Sequence, residues 1–270
     1  MRKILKKIFK LISRNLSNKN VWHMVFLYLR WYGHDRYKKV KNINVLDFKI
    51  DVPDMASFLG QYRELFVDNN YRFSSKSNEP VIYDCGANIG LSCLYFKKLY
   101  PKARITAFEA DKNIADILSK NLKKNNIEDV VIFDSAVWIH DSGIEFSIEG
   151  SDGGSIQGGG EKINVPSVRL KSFLDKSKFE IDLLKIDIEG AEYEVIKDCK
   201  QSLNNVRNIV LEYHSWNSSP QKLSEILAIL EGNNFRYFIN TVCGRSQPLI
   251  NKGEDQNMDL QLNIFAIKRN

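Results

Sequence analysis

The sequence predicts an α/β protein: a mostly parallel sheet with helices on both faces and an antiparallel hairpin at one edge. Two features predict it. From Pro80 onward, apolar runs of strand length alternate with helical patterns. The runs Val81-Ile82-Tyr83, Leu183-Leu184-Lys185-Ile186 and Ile209-Val210-Leu211 are continuous rather than alternating, as strands buried on both faces require. Strands are expected over 81–84, 104–109, 130–135, 181–187 and 208–213, with helices near 91–99, 113–125, 191–199 and 221–230. Segments 236–240 and 262–267 supply the edge hairpin. Between Ala136 and Ser167 the helical pattern lapses into a Gly-rich insert flanked by short β segments, 144–148 and 163–168. That insert is either a lid over a substrate or a hairpin turn.

The chain has 270 residues, 43% apolar and 27% charged, the make-up of a soluble globular protein with a substantial core. It divides into an arm over 1–41, a cap or lead-in over 42–79, and a main domain over 80–270. In the lead-in, Phe58, Leu59, Tyr62, Leu65 and Phe66 share one helical stripe. The net charge of +6 is unevenly placed. The arm carries twelve Lys and Arg against Asp35 alone, a charge of +11, which leaves −5 for the rest. Cys85, Cys93, Cys199 and Cys243 form no C-x-x-C pair, so neither zinc nor a dense disulfide framework is expected, and reduced, cytoplasmic thiols are.

Residues 2–16 place Ile4, Leu5, Ile8, Phe9, Ile12 and Leu16 at helical spacing with Lys and Arg between them, a basic amphipathic helix. Lys6, Lys7 and Lys10 interrupt any signal-peptide core, and the apolar stretch 21–32 contains His23 and Arg30 and is too short to cross a bilayer. Residues 1–20 are therefore expected either to associate peripherally with the inner face of a membrane or to dock a partner, or else to pack on the domain or fray as a terminus with a solvated charged face.

The first strand ends at Asp84 and passes into Gly86-Ala87-Asn88-Ile89-Gly90, after which a helix begins. Ligands of open α/β sheets bind at such carboxyl ends. Gly86 and Gly90 permit close backbone approach, and Asn88 is the non-Gly type most tolerant of positive φ. The G-x-G-x-x-G spacing of a pyrophosphate loop is absent. Asp84 suits an amino group instead. Glu109, 25 residues on, closes the second strand, where a carboxylate accepts both hydroxyls of a ribose, and Ala110 follows it. Asp134, Ser135 and Ala136 end the third strand, in position for a base. The three strand ends describe a nucleoside with an amino-acid tail.

These residues resemble the FkbM-type methyltransferases, a branch of the Rossmann-like class I enzymes that use S-adenosyl-L-methionine. The resemblance spans about 81–267 and rests on Asp84 to Ser92, Phe108-Glu109-Ala110, Val168 to Leu174, Leu184 to Glu192, and Leu211 to His214, with Lys185-Ile186-Asp187-Ile188-Glu189-Gly190-Ala191-Glu192 the most specific block. Ala110 stands where the family usually has Pro, and Lys171 where Asp often follows the Leu. The resemblance implies O-methylation, commonly of sugar hydroxyls in polysaccharides, glycolipids or natural products.

Transfer from a sulfonium is an in-line displacement, so the protein must align the acceptor oxygen and remove its proton. Asp187 closes the fourth strand and is expected to serve both cofactor and chemistry. Glu189 and Glu192 follow on the turn, where they also suit a helix N-terminus. Glu212 and His214 share a face of the fifth strand. His214 is the expected general base, oriented by Asp187 or Glu212. Asp187 with Glu212 also suits Mg²⁺, and the sequence leaves the metal open.

Three other functions fit less well. A nucleic-acid methyltransferase would carry an Asn/Asp-Pro-Pro-aromatic loop, and the chain has no Pro-Pro and an acidic main domain. A nicotinamide oxidoreductase conflicts with the loop spacing. A non-catalytic scaffold would have no need of Asp84, Glu109, Asp187, Glu212 and His214 together.

Overall fold

The computed structural model of the chain describes residues 18–31, 33–148, 161–242, 247, 249–250 and 258–269. The expected helix over 2–16, the Gly-rich stretch 149–160 and Cys243 lie outside the described residues. Helix α1 (Lys19–Arg30) comes first, followed by a hairpin of β1 (Val40–Val45) and β2 (Phe48–Val52). Helix α2 (Met55–Tyr62) runs on into a π-helical turn at Arg63–Val67. Asp54 caps α2 by accepting from the Ala56 N–H (3.1 Å).

The central sheet has seven strands. β3 (Val81–Cys85), β4 (Arg104–Phe108), β5 (Val130–Phe133), β10 (Leu183–Ile186) and β11 (Asn208–Trp216) are parallel to their neighbours. β12 (Phe235–Thr241) and β13 (Met258–Lys268) add an antiparallel edge, in the order β12-β13-β11-β10-β3-β4-β5. This is the mostly parallel, Rossmann-like sheet with an antiparallel edge hairpin that the sequence predicts. The chain leaves β3 toward β4 and β5, then returns to the other side of β3 as β10. The crevice at the carboxyl ends of β3 and β10 is thus the switch point of the sheet.

Alternate residues of a strand face opposite sides, and the two cores divide accordingly. Ile82 joins one core with α3 (Leu91–Leu99) and α4 (Lys112–Lys124), while Tyr83 and Cys85 join the other with α5 (Leu170–Lys176), α6 (Glu192–Asp198) and α7 (Leu223–Gly232). The C-terminal part of the arm and the lead-in together cover the first face: Val21, Met24 and Leu27 of α1 and the whole stripe Phe58, Leu59, Tyr62, Leu65 and Phe66 belong to that core. Asn121 ties it to the sheet. This fully buried side chain exchanges hydrogen bonds with the Asp51 backbone (2.7 and 3.0 Å) and donates to Ile89 O (3.0 Å).

The β segment expected over 163–168 is divided. β7 (Ile144–Ile148) pairs antiparallel with β8 (Glu161–Val165), whereas β6 (Ala136–Trp138) pairs with β9 (Ser167–Arg169). Pro166 lies between them, has no N–H for a ladder, and accepts from Ala136 N (2.9 Å). Cys85, Cys93 and Cys199 are buried free thiols. Among the described residues no helix is long and apolar enough to cross a membrane.

Candidate active site

A cavity of about 840 Å³ opens at the switch point. One wall is the loop after β3. Gly86 has φ +79°, and a Cβ there would stand 1.8 Å from Asp187 O, so only glycine lets the two strand ends approach. Gly90, φ +82°, starts α3 against Leu118, and Asn88 also takes positive φ (+46°). The Gly86 and Ala87 N–H groups donate to Phe108 O (3.0 and 2.9 Å), which locks the loop to β4. Glu109 braces it from beyond β4, accepting from Asn88 N (2.8 Å) and Asp111 N (3.0 Å). Burial pushes its carboxyl up to about 7 although both amides favour the ionised form.

The other wall is rich in carboxylates. Asp187 ends β10, and the chain then turns through Glu189 (φ +53°) and Gly190 (φ +99°), a left-handed pair that is strained at the glutamate. Burial, with Asp187, Glu192 and Glu212 adding, pushes the Glu189 carboxyl up to about 9 despite the neighbouring His214. Glu64 enters from the π-helical turn, a geometry that often marks a functional site. It accepts from Asn263 Nδ2 (2.5 Å) on β13, and burial reinforced by Glu212 and Asp187 pushes its carboxyl up to about 7. Lys185 lies between the walls. Its buried ammonium donates to Gly86 O (2.5 Å) and stands 3.5 Å from Asp84 and 3.4 Å from Asp187. Burial opposes its charge, but Asp187, Asp84 and Glu212 hold its pKa above the ordinary lysine value.

Gly86, Ala87, Asn88, Glu109, Ala110, Ser135, Ala136, Asp187 and Glu212 all line the cavity. Four expected residues do not: Gly90 lies behind the loop at the start of α3, against Leu118, and Asp84, Asp134 and His214 turn elsewhere. Asp84 is fully buried beneath the loop, where it accepts from Ser92 Oγ (2.5 Å) and faces the Lys185 ammonium, away from the cavity lining. Asp134 turns to solvent, its side chain 58% exposed and paired with Lys112, while its neighbours Ser135 and Ala136 face inward. His214 sits behind the wall. Its Nδ1 is 3.0 Å from Glu192, and its Nε2 is 3.4 Å from Glu212 and 3.5 Å from Glu189. Burial opposes protonation, but Glu192, Glu212 and Glu189 outweigh it and raise the imidazole well above its usual range. With both ring nitrogens facing carboxylates and the ring outside the cavity lining, His214 is turned away from the space in which a hydroxyl would sit.

Sequence reasoning missed Lys185, Glu64, Gln261 and Asn263. A lysine inside the apolar run Leu183 to Ile186 was a usable signal, because an unpaired charge there would be costly. Glu64 and Asn263 are 199 residues apart, and nothing local announces their meeting.

The family model described as the methyltransferase FkbM domain matches residues 84–237. The chain belongs to this FkbM methyltransferase family. It is an S-adenosylmethionine-dependent methyltransferase. The FkbM-family match begins at Asp84 and ends within β12, so the loop, Glu109 and the block 185–192 lie inside it, and Glu64, Gln261 and Asn263 lie outside. The chain is 32% identical over 219 residues to methyltransferase sdnD of Sordaria araneosa, covering 64% of this chain and 80% of that one. It is 30% identical over 156 residues to the 2-O-methyltransferase NoeI of Sinorhizobium fredii, covering 50% and 63%. With the 31-O-demethyl-FK506 methyltransferase FkbM of Streptomyces tacrolimicus it shares 26% over 231 residues, covering 72% and 85%.

Proposed function

We propose that this FkbM-family enzyme methylates a hydroxyl of a sugar carried by a glycan, a glycolipid or a natural product. The observation that carries this reading is the carboxylate wall of Glu64, Asp187 and Glu212 facing the glycine loop across one cavity. The loop fits the methyl donor: Gly86 to Asn88 give a backbone cradle that a Cβ would fill, Glu109 suits the ribose hydroxyls, and Ser135 with Ala136 suits the base. Bound there, S-adenosylmethionine supplies a methyl group on a sulfonium. The protein's task is to hold a hydroxyl in line and take its proton. Glu64 and the Asp187–Glu212 pair accept that hydroxyl, and one of these carboxylates takes the proton. Gln61, Asn240, Gln261 and Asn263 also line the cavity, and amide side chains suit an acceptor with several hydroxyls. The names of the NoeI and FkbM relatives, which specify oxygen positions, support transfer to oxygen.

The test is transfer of a tritiated methyl group over a panel of sugar-containing acceptors. Label is expected in an alkali-stable ether on a sugar. Label only on nucleic acid or protein amines, or no label on any sugar, overturns the reading.

A lipid-borne acceptor is favoured by α1, whose outer face exposes Trp22 (47%), Phe26 (53%) and Leu29 (64%) at i, i+4, i+7 beside the basic arm. This supports a peripheral position on the inner face of a membrane. Because Met24 and Leu27 of α1 are core residues, deleting the helix would damage the fold. The test is therefore flotation of the full chain with phosphatidylglycerol vesicles, compared with a Trp22→Ser, Phe26→Ser, Leu29→Ser variant. Strong flotation lost in the variant is expected, and negligible flotation of both refutes the idea.

A further inference from the structure

We infer that the chain holds one divalent cation on the carboxylates of Asp187 and Glu212 and on Nε2 of His214. One ligand atom from each of these residues lies within 4.8 Å of the other two. Two carboxylates and an imidazole form a donor set that takes Mn²⁺ or a related transition-metal ion more readily than Mg²⁺, which prefers oxygen donors alone.

Proximity alone would leave an acidic cluster, but two further observations point to a ligand. The first is the support of the histidine. Nδ1 lies 3.0 Å from Glu192 Oε1, and both oxygens of that buried glutamate accept from Gly190 N (2.9 and 3.1 Å). A carboxylate fixed by backbone on the far side of an imidazole sets the orientation: Nδ1–H donates to Glu192, and Nε2 faces Glu212, Glu189 and the Gln261 amide (3.3 Å), so a bound cation takes the place of the Nε2 proton. This carboxylate–histidine arrangement is how proteins orient a metal-binding imidazole. The second is Asn263, directly opposite Glu212 in the β11–β13 register. It lines the same cavity and is only 5% exposed, its Nδ2 is engaged by Glu64, and its Oδ1 has no hydrogen-bond partner. A buried amide oxygen with no hydrogen-bond partner, on the register partner of Glu212 and in the same cavity, is the donor type a divalent cation takes.

The charges agree. Asp187, Glu189, Glu192 and Glu212 surround His214, and the Lys185 ammonium, 3.4 Å from Asp187, is shared with Asp84 and the Gly86 carbonyl on the loop side. A divalent ion offsets carboxylates that would otherwise repel one another at short range. Its use for methyl transfer, holding the acceptor oxygen at the carboxylate wall, rests on the function proposed above, whereas its binding does not.

The test needs neither methyl donor nor acceptor. Chelator-stripped full-length protein is titrated with Mn²⁺ and bound ion is read by electron paramagnetic resonance, with the four histidines followed by NMR. One Mn²⁺ per chain is expected, with broadening of the His214 ring resonances before those of His23, His34 and His140. Glu212→Gln should weaken binding at least about tenfold and Glu192→Gln about 10- to 100-fold. Asp134→Asn should leave it unchanged. Because a variant at this buried site could lose its fold, the wild-type broadening pattern is decisive by itself. No stoichiometric binding of Mn²⁺, or equal broadening of all four histidines, shows the cluster to be a hydrogen-bonded histidine only. Either result leaves the methyl-transfer assay to stand or fall on its own.

Discussion

The two walls of the cavity are built by opposite means. The wall proposed to hold the methyl donor, the donor wall, is a single loop and the strand ends beside it, held by backbone: Gly86 because a side chain would strike Asp187 O, Ala87 and Gly86 because their N–H groups meet Phe108 O. The wall proposed to meet the acceptor, the acceptor wall, is made of side chains from the π-helical turn, the end of β10, β11 and β13, and its hydrogen bond from Asn263 to Glu64 joins residues 199 apart. The family match covers the first wall and omits Glu64, Gln261 and Asn263 of the second. A methyl donor common to many enzymes can be held by one local pattern. The acceptor differs from enzyme to enzyme, and so do the segments that meet it.

Substitutions on each wall should therefore fail differently. The largest effect is expected at Glu64. Glu64→Gln keeps an oxygen for Asn263 but removes the carboxylate, so turnover should fall about 10²- to 10³-fold while calorimetric affinity for S-adenosylmethionine stays within about twofold. A matching loss of cofactor affinity would erase the division between the walls. Next comes Gly86→Ala. Its forced positive φ and its clash with Asp187 O imply about 3 kcal/mol of strain, hence about hundredfold weaker cofactor binding, again by calorimetry.

A smaller effect follows from Glu109. Its carboxyl titrates at about 7 in the free protein, and ribose hydroxyls need the ionised form as acceptor. Cofactor affinity should be full above pH 8, fall as pH drops through 7, and be about tenfold weaker at pH 6. Glu109→Gln should be weak and flat across that range. A pH-independent wild type would remove Glu109 from the ribose site. The smallest effect is expected at Asp134, whose pair with Lys112 is open to solvent. Asp134→Ala should cost less than about 1 kcal/mol in thermal unfolding and leave cofactor affinity within about twofold. A larger loss would return Asp134 to the donor wall.

Much of this was readable in the chain. The continuous apolar runs located β3, β10 and β11, and the Gly86 to Gly90 spacing located the cofactor loop, because burial and positive φ act on neighbouring residues. The same logic misplaced three side chains. Asp84, Asp134 and His214 stand at strand ends, as expected, but which way such a residue faces depends on partners from elsewhere. Ser92 and Lys185 draw Asp84 under the loop, Lys112 draws Asp134 outward, and Glu192 holds His214 behind the wall. In the lead-in, the stripe Phe58 to Phe66 announced a buried helix, yet the π-helical turn that delivers Glu64 has no periodicity of its own.

The sequence by itself determined the sheet, its edge hairpin, the glycine loop with Glu109, and the membership of the family, since each depends on residues close together in the chain. Only the tertiary structure decided which carboxylates share a space. Glu64, Asp187 and Glu212 come from three separate elements, and electrostatic energy depends on distance through space, not on distance along the chain.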